Sequence, residues 1–408
     1  MSKHIYIMDE YISSTKNGIG TYLQHFLHCM KSLNVNVCWI IFNSKYKEFC
    51  IRRKGYYTKM YFPVFPENNS ADCSALINRF FRLHITDATD NIFIVNHFPL
   101  NELMKMIKKY YPLSKLVYVI HDMAWSGILL GNVRKLKQLK SSILRPRKKR
   151  NSDYLLSMLW AEKEMLDIAD KIICLSQDTL NVLIDVYALN KLKIHLIPHG
   201  LKNKRKTLLA SDKMGKMRKE FYLHAEEKIL LFVGRATETK GYNELMSAFR
   251  LIIKTCPAVR LVVVGVVSPL MLSLYSDLAS RVIYTGHING TRLEKWYQVA
   301  DVGVIPSYTE QCGYVGIEMM MYGLPIVASD GFGVRNMFQD GVNALVASIG
   351  EYKSSHFYVN NLAKAVIRLL ASETLANKLR INARNIYIER YTILCMEKRY
   401  KELMESLD

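Results

Sequence analysis

The sequence predicts an α/β protein built as two doubly wound domains. Short apolar runs of strand length alternate with helical patterns through both halves of the chain. Half of the 408 residues are apolar, which supports substantial cores in a chain too long for one ordinary domain. A polar, lysine-rich stretch at 201–227 interrupts the alternation and reads as an interdomain connection with a short helix.

In chain order, residues 3–8 form a first strand, and a polar segment carrying Asn17, Gly18, Ile19 and Gly20 follows it. A helix then runs over 21–33, with Leu23, Phe26, Leu27 and Met30 at helical spacing. Gly18 and Gly20 thus lie in the first strand-to-helix turn, where backbone amides can face a phosphate. Residues 35–42 and 92–95 read as strands, the second running into Asn96, His97, Phe98 and Pro99, and a strand at 116–120 ends in His121 and Asp122. Two histidines at the carboxyl ends of neighbouring strands project into one crevice, with Asp122 placed to orient an imidazole. A helix over 154–169, a strand over 171–175, a helix over 178–187 and a strand ending at Ile197, Pro198, His199 and Gly200 complete the first half.

The second half opens on a strand at 229–233 that ends in Gly234 and Arg235, followed by Lys240, Gly241 and a helix through Ile253. An arginine just after a strand and a lysine five residues on bring two cations and a helix N-terminus to one ligand, most simply a diphosphate. Strands at 261–265, 283–286 and 302–305 continue the sheet. Pro306 ends the last of these, and a polar turn carrying Glu310 leads through Gly313 into a helix over 314–322. Glu318 lies in that helix, eight residues after Glu310, and a further strand spans 325–329. This is a βαβ unit, whose ligands bind at the carboxyl ends of the strands. Two helical segments fill 360–407, parted at Tyr391 and Thr392.

No run of about eighteen apolar residues occurs, and residues 1–9 read as a strand rather than a cleavable signal, so the expectation is a cytoplasmic protein. Eight cysteines are scattered without a CxxC pair, which fits buried thiols in a reducing compartment better than a disulfide or zinc framework. The net charge of +20 is uneven: residues 1–202 carry 29 Lys/Arg against 16 Asp/Glu (+13), and 203–408 carry 27 against 20 (+7). Nine basic residues and no acid fall in 134–150. Leu136, Leu139, Ile143 and Leu144 are interleaved there at near-helical spacing, as in an interfacial helix beside an anionic membrane. Nucleic acid is a second candidate partner for such a block, but no aromatic-interleaved basic motif accompanies it, and none is expected to bind.

Pro306, Ser307, Glu310, Gly313, Glu318, Gly323, Leu324 and Pro325 resemble the signature of the retaining family 4 glycosyltransferases. The Gly234-Arg235 and Lys240-Gly241 pairs and the His121-Asp122 corner resemble the same family. The likeness is strongest over 229–345 and weakest over 45–90 and 124–165. It implies the GT-B fold: two Rossmann-like domains facing a cleft, an acceptor domain over 1–202, a donor domain over 203–385, and a last helix, about 386–408, crossing back to the first. It further implies transfer of a sugar from a UDP- or GDP-linked donor to an acceptor hydroxyl with retention of configuration.

In that reading Arg235 and Lys240 hold the leaving diphosphate, Glu318 the ribose hydroxyls and Glu310 the sugar hydroxyls. Gly234, Gln311, Cys312, Gly313, Tyr314 and Val315, with Gly18 and Gly20, line the donor, His121 stands near the transferred sugar, and His97 and Asp122 lie on the acceptor side. No Asp-x-Asp occurs, so neither a metal nor a cofactor is expected; cations and a helix dipole carry the diphosphate charge instead. Gln311 and Cys312 replace a commoner Gly-Phe, and His199 a commoner asparagine. The acceptor (glycan, glycolipid or peptide) is left open. The alternative is a non-catalytic protein binding nucleic acid or glycan on the same fold, against which the intact Arg235, Lys240, Glu310 and Glu318 speak.

Overall fold

The computed structural model describes residues 3–10, 18–64, 70–96, 101–145, 154–205, 211–350 and 355–407. They form two compact units: Met1–Pro198 with Ile393–Asp408, and His199–Thr392.

In the first unit an apolar sheet is flanked by helices. Its strands are β1 (His4–Glu10), β2 (Asn36–Phe42), β3 (Cys50–Lys54), β4 (Tyr57–Tyr61), β5 (Asn91–Asn96), β6 (Lys115–Val119), β7 (Lys171–Cys174) and β8 (Ile194–Leu196). Their order is β3-β4-β2-β1-β5-β6-β7-β8. Every neighbour pair is parallel except the β3/β4 hairpin at the edge. The run Ile92–Val95 is apolar at every position because β5 is buried on both faces, as a central parallel strand must be. The helices are α1 (Gly18–Ser32), α2 (Ser70–His84), α3 (Asn101–Tyr110), α4 (Val133–Gln138), α5 (Lys140–Leu144), α6 (Tyr154–Ile168) and α7 (Gln177–Asp185). Strand order reverses between β1 and β5, and ligands of doubly wound sheets bind at such a point.

Two expectations change here. Gly18 and Gly20 do not form a loop; they stand in the first turn of α1, and a Cβ added at Gly18 would meet nothing within 4 Å. Over 134–145 the basic stretch does not form one interfacial helix, and residues 146–150 lie outside the described residues. It breaks at Leu139 into α4 and α5, Leu136 and Ile143 are buried in the protein, and Trp160 Nε1 on α6 donates to Ser142 O at 2.9 Å. Its apolar residues are thus largely used internally, leaving Arg134, Lys135, Lys137 and Lys140 exposed.

The second unit contains α8 (Ser211–Glu220), β9 (Lys228–Val233), α9 (Tyr242–Thr255), β10 (Val259–Val264), α10 (Pro269–Leu274), β11 (Val282–Gly286), α11 (Gly290–Val299), β12 (Val302–Ile305), α12 (Tyr314–Tyr322), β13 (Ile326–Ser329), α13 (Val334–Met337), β14 (Leu345–Ala347), α14 (Ser355–Leu370) and α15 (Glu373–Arg390). Its six parallel strands run β11-β10-β9-β12-β13-β14, with the reversal between β9 and β12. Leu230, Phe232, Phe249, Leu261, Val304 and Leu362 are among its core residues. The chain then ends in α16 (Ile393–Glu405), which belongs to the first unit.

The units divide at 198/199 and 392/393. Residues 199–202 and 386–392 therefore belong to the second unit. Their hydrogen bonds explain the placement, since His199 Nδ1 lies 2.7 Å from Cys312 O and Tyr387 Oη donates to Leu201 O at 3.1 Å.

Candidate active site

The second unit gathers its charged residues at the reversal between β9 and β12. The loop after β9 contains Arg235, exposed, and Lys240, half-buried at the end of a short 3-10 turn. Tyr308 N donates to Thr239 O at 2.9 Å, binding this loop to the segment after β12. Gly241 makes the approach sterically feasible: it has φ +64°, and a Cβ there would lie 1.9 Å from Pro306 O.

Glu310 is held by its backbone, its amide donating to Phe332 O at 2.9 Å. Its side chain turns toward Gly313, where an added Cβ would come within 2.8 Å of Glu310 Cγ and Cδ. The glycine therefore makes room for the carboxylate at the start of α12. Lys240 Nζ donates to Glu310 Oε2, closing an ion pair between the two loops. Both residues were expected to face different parts of one ligand; here each faces the other.

Helix α12 is buried on nearly every side, and no side chain caps its start at Gly313, so the first-turn amides of Val315 and Gly316 have no acceptor within the helix. Glu318 stands one turn further in. Tyr297 Oη on α11 donates to Glu318 Oε2 at 2.7 Å, and burial still holds the Glu318 carboxyl above the usual carboxylate range. Gln311, Cys312 and Tyr314 are buried, so contact with a ligand at these positions falls to the backbone. Gly234, with φ +150°, follows β9 and precedes Arg235.

His199 is the residue sequence reasoning missed in this cluster, having marked it only as a replacement. Its Nδ1 lies 2.7 Å from Cys312 O and its ring stacks on Tyr314, with centroids 4.4 Å apart and planes 4° from parallel. A carbonyl can only accept, so Nδ1 carries the proton. Tyr297 is likewise new, as is Glu244, which accepts from Tyr308 Oη at 3.0 Å.

In the first unit, His121 follows β6, half-buried. Its Nε2 lies 2.6 Å from Asn96 Oδ1, and Tyr22 meets its ring edge-on at 4.5 Å. Asp122 does not serve as the orienter. Its Oδ1 accepts from Met123 N at 2.9 Å and Ser126 Oγ at 2.6 Å, fastening its own turn, while Asn96 contacts the imidazole. Behind that turn, Glu162 accepts from Ala124 N at 2.8 Å and from Tyr187 Oη, and burial pushes its carboxyl up to about 7. His97 lies outside the described residues. No group of three His, Cys, Asp or Glu suited to a metal occurs among the described residues, and the described cysteines are free.

Comparison with known proteins places this geometry. The chain matches the family described as Glycosyltransferase Family 4 over residues 16–205 and that described as Glycosyl transferases group 1 over residues 214–386. An uncharacterized glycosyltransferase of Methanocaldococcus jannaschii is 36% identical over 134 residues, covering 31% of this chain and 34% of that protein. A D-inositol 3-phosphate glycosyltransferase of Catenulispora acidiphila is 27% identical over 249 residues, covering 58% and 57%. The matched stretches thus span between about a third and somewhat over half of these relatives. Among solved structures, sucrose-phosphate synthase from Thermosynechococcus elongatus superposes with a TM-score of 0.75 at 20% identity over 99% of both chains. The Anabaena protein Alr3699/HepE, in complex with UDP and glucose, gives 0.69 at 16% over 99% and 100%. WaaG, a glycosyltransferase involved in lipopolysaccharide biosynthesis, gives 0.68 at 16% over 98% and 99%. Two family matches that together run through both units, on two parallel sheets of this order, identify the chain as a member of the family 4, group 1 glycosyltransferases with the GT-B fold.

Proposed function

We propose that this protein transfers a glycosyl group from a nucleotide sugar to an acceptor hydroxyl. The observation that carries the reading is the meeting of Lys240 with Glu310 beside the N-terminus of α12, with Glu318 on the same helix. A nucleoside diphosphate needs positive charge and amide donors for its phosphates, and a carboxylate for its ribose hydroxyls. Arg235, Lys240 and the first turn of α12 supply the former; Glu318 supplies the latter. The Anabaena structure contains UDP and glucose, which favours a uridine diphosphate sugar as donor.

As the sugar–phosphate bond breaks, negative charge grows on the leaving diphosphate, and Lys240 and Arg235 oppose it without a metal. Glu310, released from Lys240 by the competing phosphates, would then orient sugar hydroxyls. Transfer would retain configuration, with His121 of the first unit near the sugar and the acceptor held by that unit. The exposed cations Arg134, Lys135 and Lys140 would favour a glycolipid or other acceptor at an anionic membrane surface. Screening hydrolysis and transfer over a panel of nucleotide sugars tests the reading: turnover of one or a few donors supports it, and silence across the panel with no nucleotide-induced thermal shift overturns it.

A further inference from the structure

The first unit keeps a carboxylic acid where the proposed chemistry gives it no task. Asp9 is the penultimate residue of β1 and is 3% exposed; Asn96 ends the neighbouring β5 and is fully buried. The parallel register pairs Met8 with Val95, which brings Asp9 level with Asn96 at the reversal point of the sheet. On the other side of Asn96, Oδ1 lies 2.6 Å from His121 Nε2. The three residues form a row, carboxyl, amide and imidazole, across the ends of three adjacent strands.

We propose that Asp9 is a positioning residue that acts through the Asn96 side chain to decide which nitrogen of His121 carries the proton. The argument rests on amide chemistry. An amide offers an acceptor at one corner and a donor at the other, and a half-turn exchanges them. With Asp9 ionised, the NH2 corner is drawn to the carboxylate, Oδ1 faces His121, and Nε2 must carry the proton. With Asp9 protonated, its hydroxyl needs an acceptor, so Oδ1 turns to Asp9 and the NH2 corner to His121. Nε2 must then accept, which leaves the proton on Nδ1. While the imidazole is neutral it exchanges that proton with water, and the charge of the row changes only by the proton taken up at Asp9.

Both states are within reach near neutral pH. Burial pushes the Asp9 carboxyl up to about 7, against the opposing pull of the Glu10 amide and the Asn96 side chain. Asn96 Nδ2 completes no hydrogen bond among the described residues, so the amide is near Asp9 without being locked to it. The described groups around the row are few. Glu10, on the same strand, gives its amide to Asp9 Oδ1 at 3.0 Å and takes Asn43 Nδ2 from beyond β2 at 2.9 Å. Tyr22 on α1 faces both Asp9 and the His121 ring, its hydroxyl 2.6 Å from that of Tyr400 on α16. None of these is a cation, so nothing described here neutralises Asp9 when it ionises.

The inference rests on the reading of His121 as a residue near the transferred sugar, and its test is independent of transfer. Nitrogen-15 NMR of the full chain, which has 11 histidines, reports the protonated nitrogen of His121, identified by the signals lost in His121→Gln. Between about pH 5 and pH 9 the wild type should exchange Nδ1–H for Nε2–H, with the midpoint at which the Asp9 carboxyl titrates by carbon-13 NMR. Asp9→Asn should lose the pH-dependent exchange, and Asn96→Leu should uncouple it from Asp9. A His121 tautomer that ignores Asp9 titration in the wild type overturns the proposal without any variant having to fold. Full transfer activity in His121→Gln, with the coupling present in the wild type, would instead remove His121 from the chemistry and leave the row standing.

Discussion

Lys240 and Glu310 neutralise each other, although 70 residues separate them and each has its own place in the proposed donor site. Their side chains are 23% and 26% exposed, so neither charge is fully solvated. Removing one partner leaves the other in a half-buried position with its solvation incomplete. Lys240→Ala should therefore lower kcat about a hundredfold, the usual scale for losing one group that stabilises a developing oxyanion. In a double-mutant cycle on urea unfolding, Lys240→Ala and Glu310→Ala should couple by about 1 kcal/mol. Additive costs would show that the pair contributes nothing to the second unit's stability.

Glu162 gives a pH signature of stability. Burial raises its carboxyl from the unfolded value of 4.5 to about 7, so the folded chain binds this proton more tightly than the unfolded chain does. The associated stability is fully present below about pH 4.5 and is lost as pH rises through about 7. Glu162→Gln keeps an acceptor for Ala124 N and removes the charge. Its first unit should gain about 1–3 kcal/mol relative to wild type at about pH 8, and that advantage should fade toward pH 5. Denaturant midpoints across that range, followed by Trp125 or Trp160 fluorescence, check the slope; an unchanged difference at all pH values would deny the buried ionisation.

His199 stiffens the turn that carries Cys312 to Tyr314. His199→Ala removes the hydrogen bond to Cys312 O and the stack on Tyr314, and should raise the donor KM about tenfold with kcat nearly unchanged, a cost of about 1.4 kcal/mol. His199→Asn restores an amide donor for the carbonyl and should recover much of that loss. Equal KM values in all three proteins would show that the turn needs no such support.

Arg134, Lys135, Lys140 and Arg145 offer a test of surface attraction without insertion, because Leu136 and Ile143 are buried. The chain should co-sediment with anionic but not neutral vesicles, weaken with salt, and lose about 1 kcal/mol per cation replaced by glutamine. Binding to neutral vesicles, or none to either type, would contradict this.

The sequence reveals the site best where chemistry and local structure coincide. The apolar run Val302–Ile305, cut by Pro306, announces a buried strand; Glu310, Gly313 and Glu318 then follow at fixed local offsets. Contacts made across the fold leave no such trace. Tyr297 reaches Glu318 from 21 residues away, His199 reaches Cys312 from 113, and nothing in the composition of either segment marks them. The β3 strand, Cys-Ile-Arg-Arg-Lys, hides for another reason: as an exposed edge it buries no alternate face, so it lacks the period-two pattern by which strands are read. Gly18 and Gly20 mislead in the opposite direction, since glycines suggest a loop while the chain continues them into α1.

The central claim is that the second unit binds a nucleoside diphosphate through the β9 loop and α12. Glu318 would accept two ribose hydroxyls, charge-assisted contacts worth about 1.5–3 kcal/mol, and these exist before any bond breaks. Titration calorimetry with UDP and with GDP, on wild type and Glu318→Ala, measures this directly. Saturable binding of one nucleotide, weakened about tenfold to a hundredfold by the substitution, is the predicted result; no binding of either, or equal affinity in both proteins, would contradict it.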